Sequence, residues 1–249
     1  LLNALYNSNG ASIPVAFELV TKPIVYSDIE TRKLKRKSEV TKNELMRQMI
    51  RICVQNELKF RFVLTDSWFS SEENFEFITA QGKHFISALK DNRLVAASEE
   101  DRIHKRFTRV DELQIPEHGV VRGWLKGYAK EVLVVRQVFK NKDGSTGTLH
   151  LVCSDLTCDY DAITTTYKRR WEVEVFHKSL KSNASLAKSP TQTTKTQSNH
   201  VFMSICAAFK LECLSLKNKL SPFAMCRKLL IKASQTAYAE LQLLRAAAA

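Results

Sequence analysis

A single glutamate within a row of cations is the first feature of this sequence that could do chemistry. The row consists of Tyr167, Arg170, Glu174, Lys178 and Lys181. The segment contains no Gly or Pro, which predicts one continuous helix with these side chains within or beside an arc of roughly 60°. The cations of such a face could contact successive phosphates of a nucleic-acid backbone. The glutamate would then lie at one fixed position along it. For an arbitrary basic helix a solvated charged face is the better interpretation, and spacing alone does not exclude it.

A second carboxylate stands at the end of an apolar run. Residues 60–65 predict a short buried strand, and Asp66 follows it directly. Ser70 and Glu73 form a capping-box pattern, which predicts a helix from there to Ala80. Functional groups of α/β sheets lie at the carboxyl ends of parallel strands, so Asp66 is a candidate site residue. A turn or helix-capping role is the common alternative.

Both segments resemble one family of DNA transposases. The Y-R-E-K signature of DDE transposases of the insertion-sequence-four type is matched, position for position, by Tyr167, Arg170, Glu174 and Lys181. The run Val-Leu-Thr-Asp-Ser-Trp-Phe at 63–69 resembles the segment that carries the second catalytic Asp of that family. Because the two matches are independent and occur in the right order, they outweigh the solvated-face interpretation.

The resemblance implies metal-dependent DNA chemistry. Family members use two Asp and one Glu, and Asp66 matches the second Asp while Glu174 matches the Glu. Mg²⁺ or Mn²⁺ suits such ligands, because Mg²⁺ prefers oxygen donors and needs few protein carboxylates. Two ions about 3.5–4 Å apart can activate a water or a sugar 3′-hydroxyl and stabilise the leaving oxygen. The expected DNA contacts are Tyr167, Arg170, Lys178, Lys181 and Trp124.

The surrounding elements predict an α/β fold. The resemblance implies a ribonuclease H-like mixed sheet flanked by helices, with residues 1–249 forming a single catalytic domain that lacks its first strand. Between Asp66 and Glu174 the pattern stays β-rich, which predicts a β insertion at about 91–147. Trp124 and Tyr128 lie in this insertion among lysines and could stack on an extruded base. Packing within the insertion's own core is the preferred interpretation of Trp124.

Composition restricts the partners. The net charge of +12 predicts a polyanion, and the resemblance implies double-stranded DNA at transposon ends and at the target, bound by a homodimer. No apolar run is long enough to span a bilayer, so we expect no membrane partner. The six cysteines lack the paired spacing of a zinc site. The resemblance further implies a cytoplasmic bacterial protein that associates with the nucleoid when it binds DNA.

The first aspartate of the family has no counterpart in the expected element. It belongs on the opening strand of the sheet, before the hairpin that begins at Leu1, so we expect an N-terminally truncated chain. Asp28 is the only Asp before Asp66, and it follows the hairpin. We therefore expect this chain by itself to be inactive, although its parent is a transposase that cuts and joins DNA at insertion-sequence ends. The alternative is a catalytically inactive DNA-binding remnant.

Overall fold

The computed structural model describes residues 1–8, 10–141, 143–190 and 192–247, and within these it contains eleven strands and seven α-helices. The remaining five positions of the predicted domain, one of them in the predicted insertion, lie outside the described residues. In chain order the strands are β1 (Leu2–Ser8), β2 (Ala11–Glu18), β3 (Ile24–Ser27), β4 (Leu34–Lys37), β5 (Phe62–Thr65), β6 (His84–Leu89), β7 (Leu94–Ala96), β8 (Thr108–Arg109), β9 (Val121–Leu125), β10 (Val132–Lys140) and β11 (Thr146–Cys153). The helices are α1 (Lys42–Gln55), α2 (Glu72–Ala80), α3 (Glu99–Ile103), α4 (Tyr160–Lys168), α5 (Glu172–Asn183), α6 (Thr194–Asn218) and α7 (Pro222–Ala247).

The chain divides into two compact units. Unit A is discontinuous and combines Leu1–Thr21 with Glu172–Ala249, whereas unit B is the intervening segment Lys22–Trp171. Asp66 belongs to unit B and Glu174 to unit A. The single catalytic domain over residues 1–249 stays a prediction.

Unit B is built on a seven-stranded sheet with the order β5-β6-β11-β10-β9-β7-β8. β5 and β6 pair in parallel, and the other recorded pairs of this sheet are antiparallel. Successive side chains of a strand point to opposite faces. Phe85 of β6 accordingly packs with α1 and α2, and its ring stacks on Phe75 with centroids 4.0 Å apart. Ile86 packs on the other face with Ile163 and Tyr167 of α4. The predicted mixed sheet flanked by helices is therefore present, and it is compatible with a ribonuclease H-like fold.

The β-rich segment after Asp66 extends the same sheet. β9 pairs with β10 on one side and with β7 on the other, so these strands continue outward from β6 and β11. Tyr128, which we considered as a base-stacking residue, is buried and meets the Phe75 and Phe85 rings edge-on at 5.9 and 5.8 Å. That interpretation of Tyr128 is wrong, because its ring is part of the main core. The assignment of the segment as an insertion stays a prediction.

Helix α2 begins one residue later than the capping pattern predicts. Its N-cap is Ser71, whose hydroxyl accepts from the Asn74 backbone N–H. Ser70 precedes the cap and is excluded from that role. Ser70 closes the 3₁₀ turn Ser67–Phe69 that follows Asp66, which leaves the adjacent Ser71 to open the helix.

The predicted signature helix is not continuous. α4 ends at Lys168, a 3₁₀ turn occupies Arg169–Trp171, and α5 begins at Glu172. The apolar residues on the two sides of this turn enter different cores: Tyr167 packs against the sheet of unit B, whereas Leu180 packs in unit A. We attribute the break to this packing, since the segment contains no Gly or Pro that would interrupt a helix by itself.

Unit A consists of the β1–β2 hairpin and the last three helices. The strands pair antiparallel, as the opening hairpin of the sequence predicts. Phe17 of β2 packs against a buried cluster of Leu180, Val201, Ile205 and Ala208. Among the helices described, none is long and apolar enough to cross a membrane.

Candidate active site

Asp66 occupies the carboxyl end of β5, which is the position at which α/β sheets carry functional groups. Its Oδ1 accepts a hydrogen bond from the Trp68 backbone N–H at 2.9 Å, so it also caps the following turn. Ser87, at the matching end of the parallel strand β6, donates to the Asp66 carbonyl at 3.4 Å. The turn-capping interpretation of Asp66 is therefore confirmed, and its role as a site residue stays a prediction. The Asp66 carboxylate is exposed to solvent, and the hydrogen bond from the Trp68 backbone N–H fixes its position.

Tyr167 lies next to Asp66 in unit B. Its hydroxyl donates to the Thr65 carbonyl at 3.1 Å, which joins α4 to the last residue of β5. Burial raises the pKa of Tyr167, the nearby Arg170 acts to lower it, and the charge of Asp66 acts to raise it. The Arg170 guanidinium lies 6.0 Å from the centroid of the Tyr167 ring. The structure thus brings Asp66, Tyr167 and Arg170 together, although Tyr167 itself is only 7% exposed.

Glu174, Lys178 and Lys181 share one face of α5 in unit A, because they are spaced at i, i+4 and i+7. Glu174 is exposed. Its charge acts to raise the pKa of the neighbouring His177. The Lys178 ammonium lies 5.8 Å from the centroid of the Phe223 ring. Because Asp66 and Glu174 belong to different units, the convergence of their carboxylates stays a prediction.

Trp124 lies on β9, opposite Ala96 of β7, and is half-buried. The guanidinium of Arg102 lies 5.6 Å from the centroid of its ring. A cation therefore accompanies Trp124, but it comes from α3 and not from the flanking lysines of the sequence. Its role as a DNA contact stays a prediction.

A comparison with protein-family models decides the family. The model described as "Transposase DDE domain" matches residues 33–210, which is more than half of the chain. The chain belongs to the DDE transposase family. A comparison with curated protein sequences gave no match. The matched segment contains Asp66, Glu174 and the whole cationic row.

DDE transposases use divalent metal ions, and the donor set of this transposase can be compared with that need. The Asp66 carboxylate supplies exposed oxygen donors of the kind that Mg²⁺ and Mn²⁺ prefer. Within residues 1–8, 10–141, 143–190 and 192–247, no group of three or more His, Cys, Asp and Glu side chains could hold a metal ion. Asp66 therefore fits as one ligand, and further ligands must come from another element.

Asp28, the only aspartate before Asp66, is held by hydrogen bonds within its own hairpin. Its carboxylate accepts from the backbone N–H and the hydroxyl of Thr31 at 2.7 and 2.6 Å, and from Lys35 Nζ at 2.6 Å. The hydrogen bond from Lys35, followed by those from Thr31, lowers the pKa of Asp28. The carboxylate is thus engaged within the β3–β4 hairpin, and its exclusion from the catalytic acids stays a prediction.

Our sequence analysis missed a cleft of about 390 Å³ beside Asp66. The cleft is lined by Ser67, Trp68, Ser70, Lys90, Asn92, Arg93, Leu94 and Lys126. One signal could have found it. Lys90 to Arg93 directly follow β6, so this polar run lies at the same edge of the sheet as Asp66.

Proposed function

We propose that the chain is the catalytic part of an insertion-sequence-four-type transposase that performs metal-dependent cut-and-paste transposition. Such an enzyme cleaves DNA strands at the ends of an element and transfers them to a target. The observation that carries the proposal is the location of Asp66 at the carboxyl end of a parallel strand, inside a segment that matches the transposase family. As in the family, we propose a homodimer on double-stranded DNA, associated with the nucleoid.

The residues have distinct proposed roles. Asp66 and Glu174 would hold Mg²⁺ or Mn²⁺, and two such ions would supply the activation of the attacking oxygen and the stabilisation of the leaving oxygen. Arg170, Lys178 and Lys181 would neutralise backbone phosphates on either side of the cut. Tyr167 acts as a positioning residue, because its hydroxyl fixes the end of the strand that carries Asp66. Trp124 would contact a base.

One observation favours the second candidate, a catalytically inactive DNA-binding remnant. The carboxylate of Asp28, the only aspartate that precedes Asp66, is engaged in its own hairpin, and the described part of the chain contains no cluster of three candidate ligands. A metal with too few ligands aims the nucleophile poorly, and a misplacement of about 1 Å can cost on the order of a hundredfold in rate. We therefore expect the 249-residue chain alone to cut DNA poorly or not at all.

The test is strand nicking of element-end DNA with Mg²⁺ or Mn²⁺. The complete gene product, the 249-residue chain and their Asp66→Asn and Glu174→Gln variants are compared. Asn caps a helical turn as well as Asp, so Asp66→Asn removes charge while it retains the hydrogen bond to Trp68. We expect the complete product to nick DNA and either substitution to lower its rate by at least about a hundredfold.

Asp28→Asn is the matched control, since it removes a carboxylate that we place outside the site. If the complete product binds element ends but does not nick them, the inactive remnant is the correct function. If the 249-residue chain nicks DNA and Asp28→Asn abolishes this activity, Asp28 completes the site and our assignment of it is wrong.

A further inference from the structure

The cleft beside Asp66 is lined by more cations than the nearby carboxylates neutralise. Lys90, Arg93 and Lys126 line it, together with the hydroxyls of Ser67 and Ser70 and the amide of Asn92. Arg93 Nη2 donates to the Lys126 carbonyl at 3.5 Å, which connects the arginine to the residue that follows β9. One nearby acid is Glu72, whose charge acts on Arg93, and the other is Asp66, which precedes the lining residue Ser67. Three cations and two carboxylates leave the cleft with a net positive charge.

Two polar atoms in this cleft are buried without a partner. Ser70 Oγ and Arg93 Nε have no hydrogen-bond partner among the residues that the structure describes. Buried polar groups in native proteins are almost always paired, so an unpaired one calls for a ligand or a water. Ser71 and not Ser70 caps α2, so the Ser70 hydroxyl is not used by the helix. Both atoms can donate a hydrogen bond, and two donors beside three cations favour an anion.

The arginine is also partly withdrawn from water. Burial lowers the pKa of Arg93, and the charge of Glu72 acts to raise it. A guanidinium in such a place gains more from a bound anion than an exposed one, because the local dielectric constant is lower. Its fork of N–H groups matches the geometry of phosphate oxygens.

Trp68 indicates what accompanies the anion. It lines the same cleft, is 65% exposed, and follows Asp66 by two residues. The ammonium of Lys42 lies 5.5 Å from the centroid of its ring. An exposed aromatic ring beside a positively charged groove is the arrangement by which proteins bind a nucleic-acid strand, with the base on the ring and the backbone on the cations.

We propose that this cleft binds one phosphate of a DNA strand next to Asp66, with the adjoining base stacked on Trp68. The proposal rests on the proposed function, since it assumes that DNA reaches Asp66. It assigns Arg93, Lys126 and Ser70 to the phosphate. Free inorganic phosphate would use the same cations but would not need Trp68, and this difference separates the two sources.

The experiment measures fluorescence anisotropy of labelled oligothymidine and of a labelled duplex over a range of salt concentrations. The variants are Lys126→Ala and Trp68→Ala, with Lys130→Ala and Trp68→Phe as matched controls. Lys130 is an exposed lysine on the same segment whose ammonium contacts Thr79 and lies outside the cleft. Lys126→Ala should reduce the log–log salt slope for oligothymidine by about 0.7. Trp68→Ala should weaken binding on the order of tenfold, and Trp68→Phe should retain most of the affinity.

The outcomes separate the two proposals. If the wild type binds neither DNA, both the proposed function and the cleft proposal fail. If the wild type binds DNA and Lys126→Ala behaves like Lys130→Ala, the cleft proposal alone fails. If inorganic phosphate competes with the oligonucleotide and Trp68→Ala binds oligothymidine like the wild type, the cleft takes free phosphate and the strand assignment is overturned.

Discussion

Tyr167 shows how a signature residue can act through the fold. It matches the family pattern, it is buried against the sheet, and its hydroxyl donates to the carbonyl of the residue before Asp66. We expect Tyr167→Phe to lower the free energy of unfolding by about 1 kcal/mol, because it removes one buried hydrogen bond while it keeps the ring. Urea unfolding of Tyr167→Phe is compared with Tyr238→Phe, which alters an exposed tyrosine of α7. Equal stabilities of the two variants would contradict the structural role.

His177 makes the stability depend on pH. Burial lowers its pKa, Glu174 acts to raise it, and Lys181 acts to lower it. The unfolded chain, with a pKa of about 6.5, therefore binds a proton at a higher pH than the folded chain. Stability should fall as the pH drops below about 6.5, since Nε2 must then stop accepting the hydrogen bond from Asn3. Urea unfolding at pH 7.5 and pH 5.5 should show a smaller difference for His177→Gln than for the wild type.

The position of Asp66 at the end of a strand could be predicted from the local sequence, whereas the capping serine of α2 and the burial of Tyr128 could not. A carboxylate after an apolar run can be recognised from sequence, because the run and the acid are both local. The choice between Ser70 and Ser71 as the cap depends on the 3₁₀ turn before them. Tyr128 looks like an accessible aromatic among lysines, but it fills the core under Phe75 and Phe85. Tertiary packing determines which serine caps the helix and whether the tyrosine is buried, and a local sequence pattern does not indicate that packing.

At the scale of elements, the β7–β9 pair depends on a residue without a side chain. A Cβ atom at Gly123 of β9 would lie 2.6 Å from the Ala96 carbonyl oxygen and 3.2 Å from Val95 Cγ1. The oxygen belongs to the backbone of β7 and cannot move aside without disturbing the pairing. We expect Gly123→Ala to destabilise the protein by about 1–3 kcal/mol.

Thermal or urea unfolding of Gly123→Ala checks this prediction. Arg122→Ala is the control, because it alters the preceding position of β9 and removes only an exposed ion pair with Glu131. Such pairs contribute less than about 1 kcal/mol. A Gly123→Ala protein as stable as Arg122→Ala would mean that β7 and β9 adjust at little cost.

Helices and strands with a regular spacing of apolar residues could be predicted from the sequence. The points at which a helix breaks because its two halves pack in different cores could not. The opening hairpin follows from two apolar runs and the turn residues between them. The segment Tyr167–Lys181 has helical composition throughout, and it still breaks at Arg169–Trp171. Composition cannot report this break, because its cause is that residues on each side pack in different units.

At the scale of the whole molecule, the net charge of +12 predicts strong DNA affinity that falls steeply with salt. Each phosphate that the protein neutralises contributes about −0.9 to the log–log slope for a duplex. We expect Arg170→Ala to weaken binding to element-end DNA and to reduce the slope by about one. Anisotropy titrations over a range of salt concentrations measure this. An unchanged slope would show that Arg170 acts within the protein, next to Tyr167.

The discontinuity of unit A affects the order in which the chain can fold during translation. Ribosomes add roughly 5–20 residues per second, so the β1–β2 hairpin emerges many seconds before the helices that bury Phe17. Unit B is synthesised between the hairpin and the last helices. Its sheet can therefore form before the hairpin has helices to pack against. A two-stranded hairpin is marginally stable by itself. The hairpin is therefore synthesised before unit B but gains its core only after it, and it is exposed to chaperones and to aggregation in the meantime.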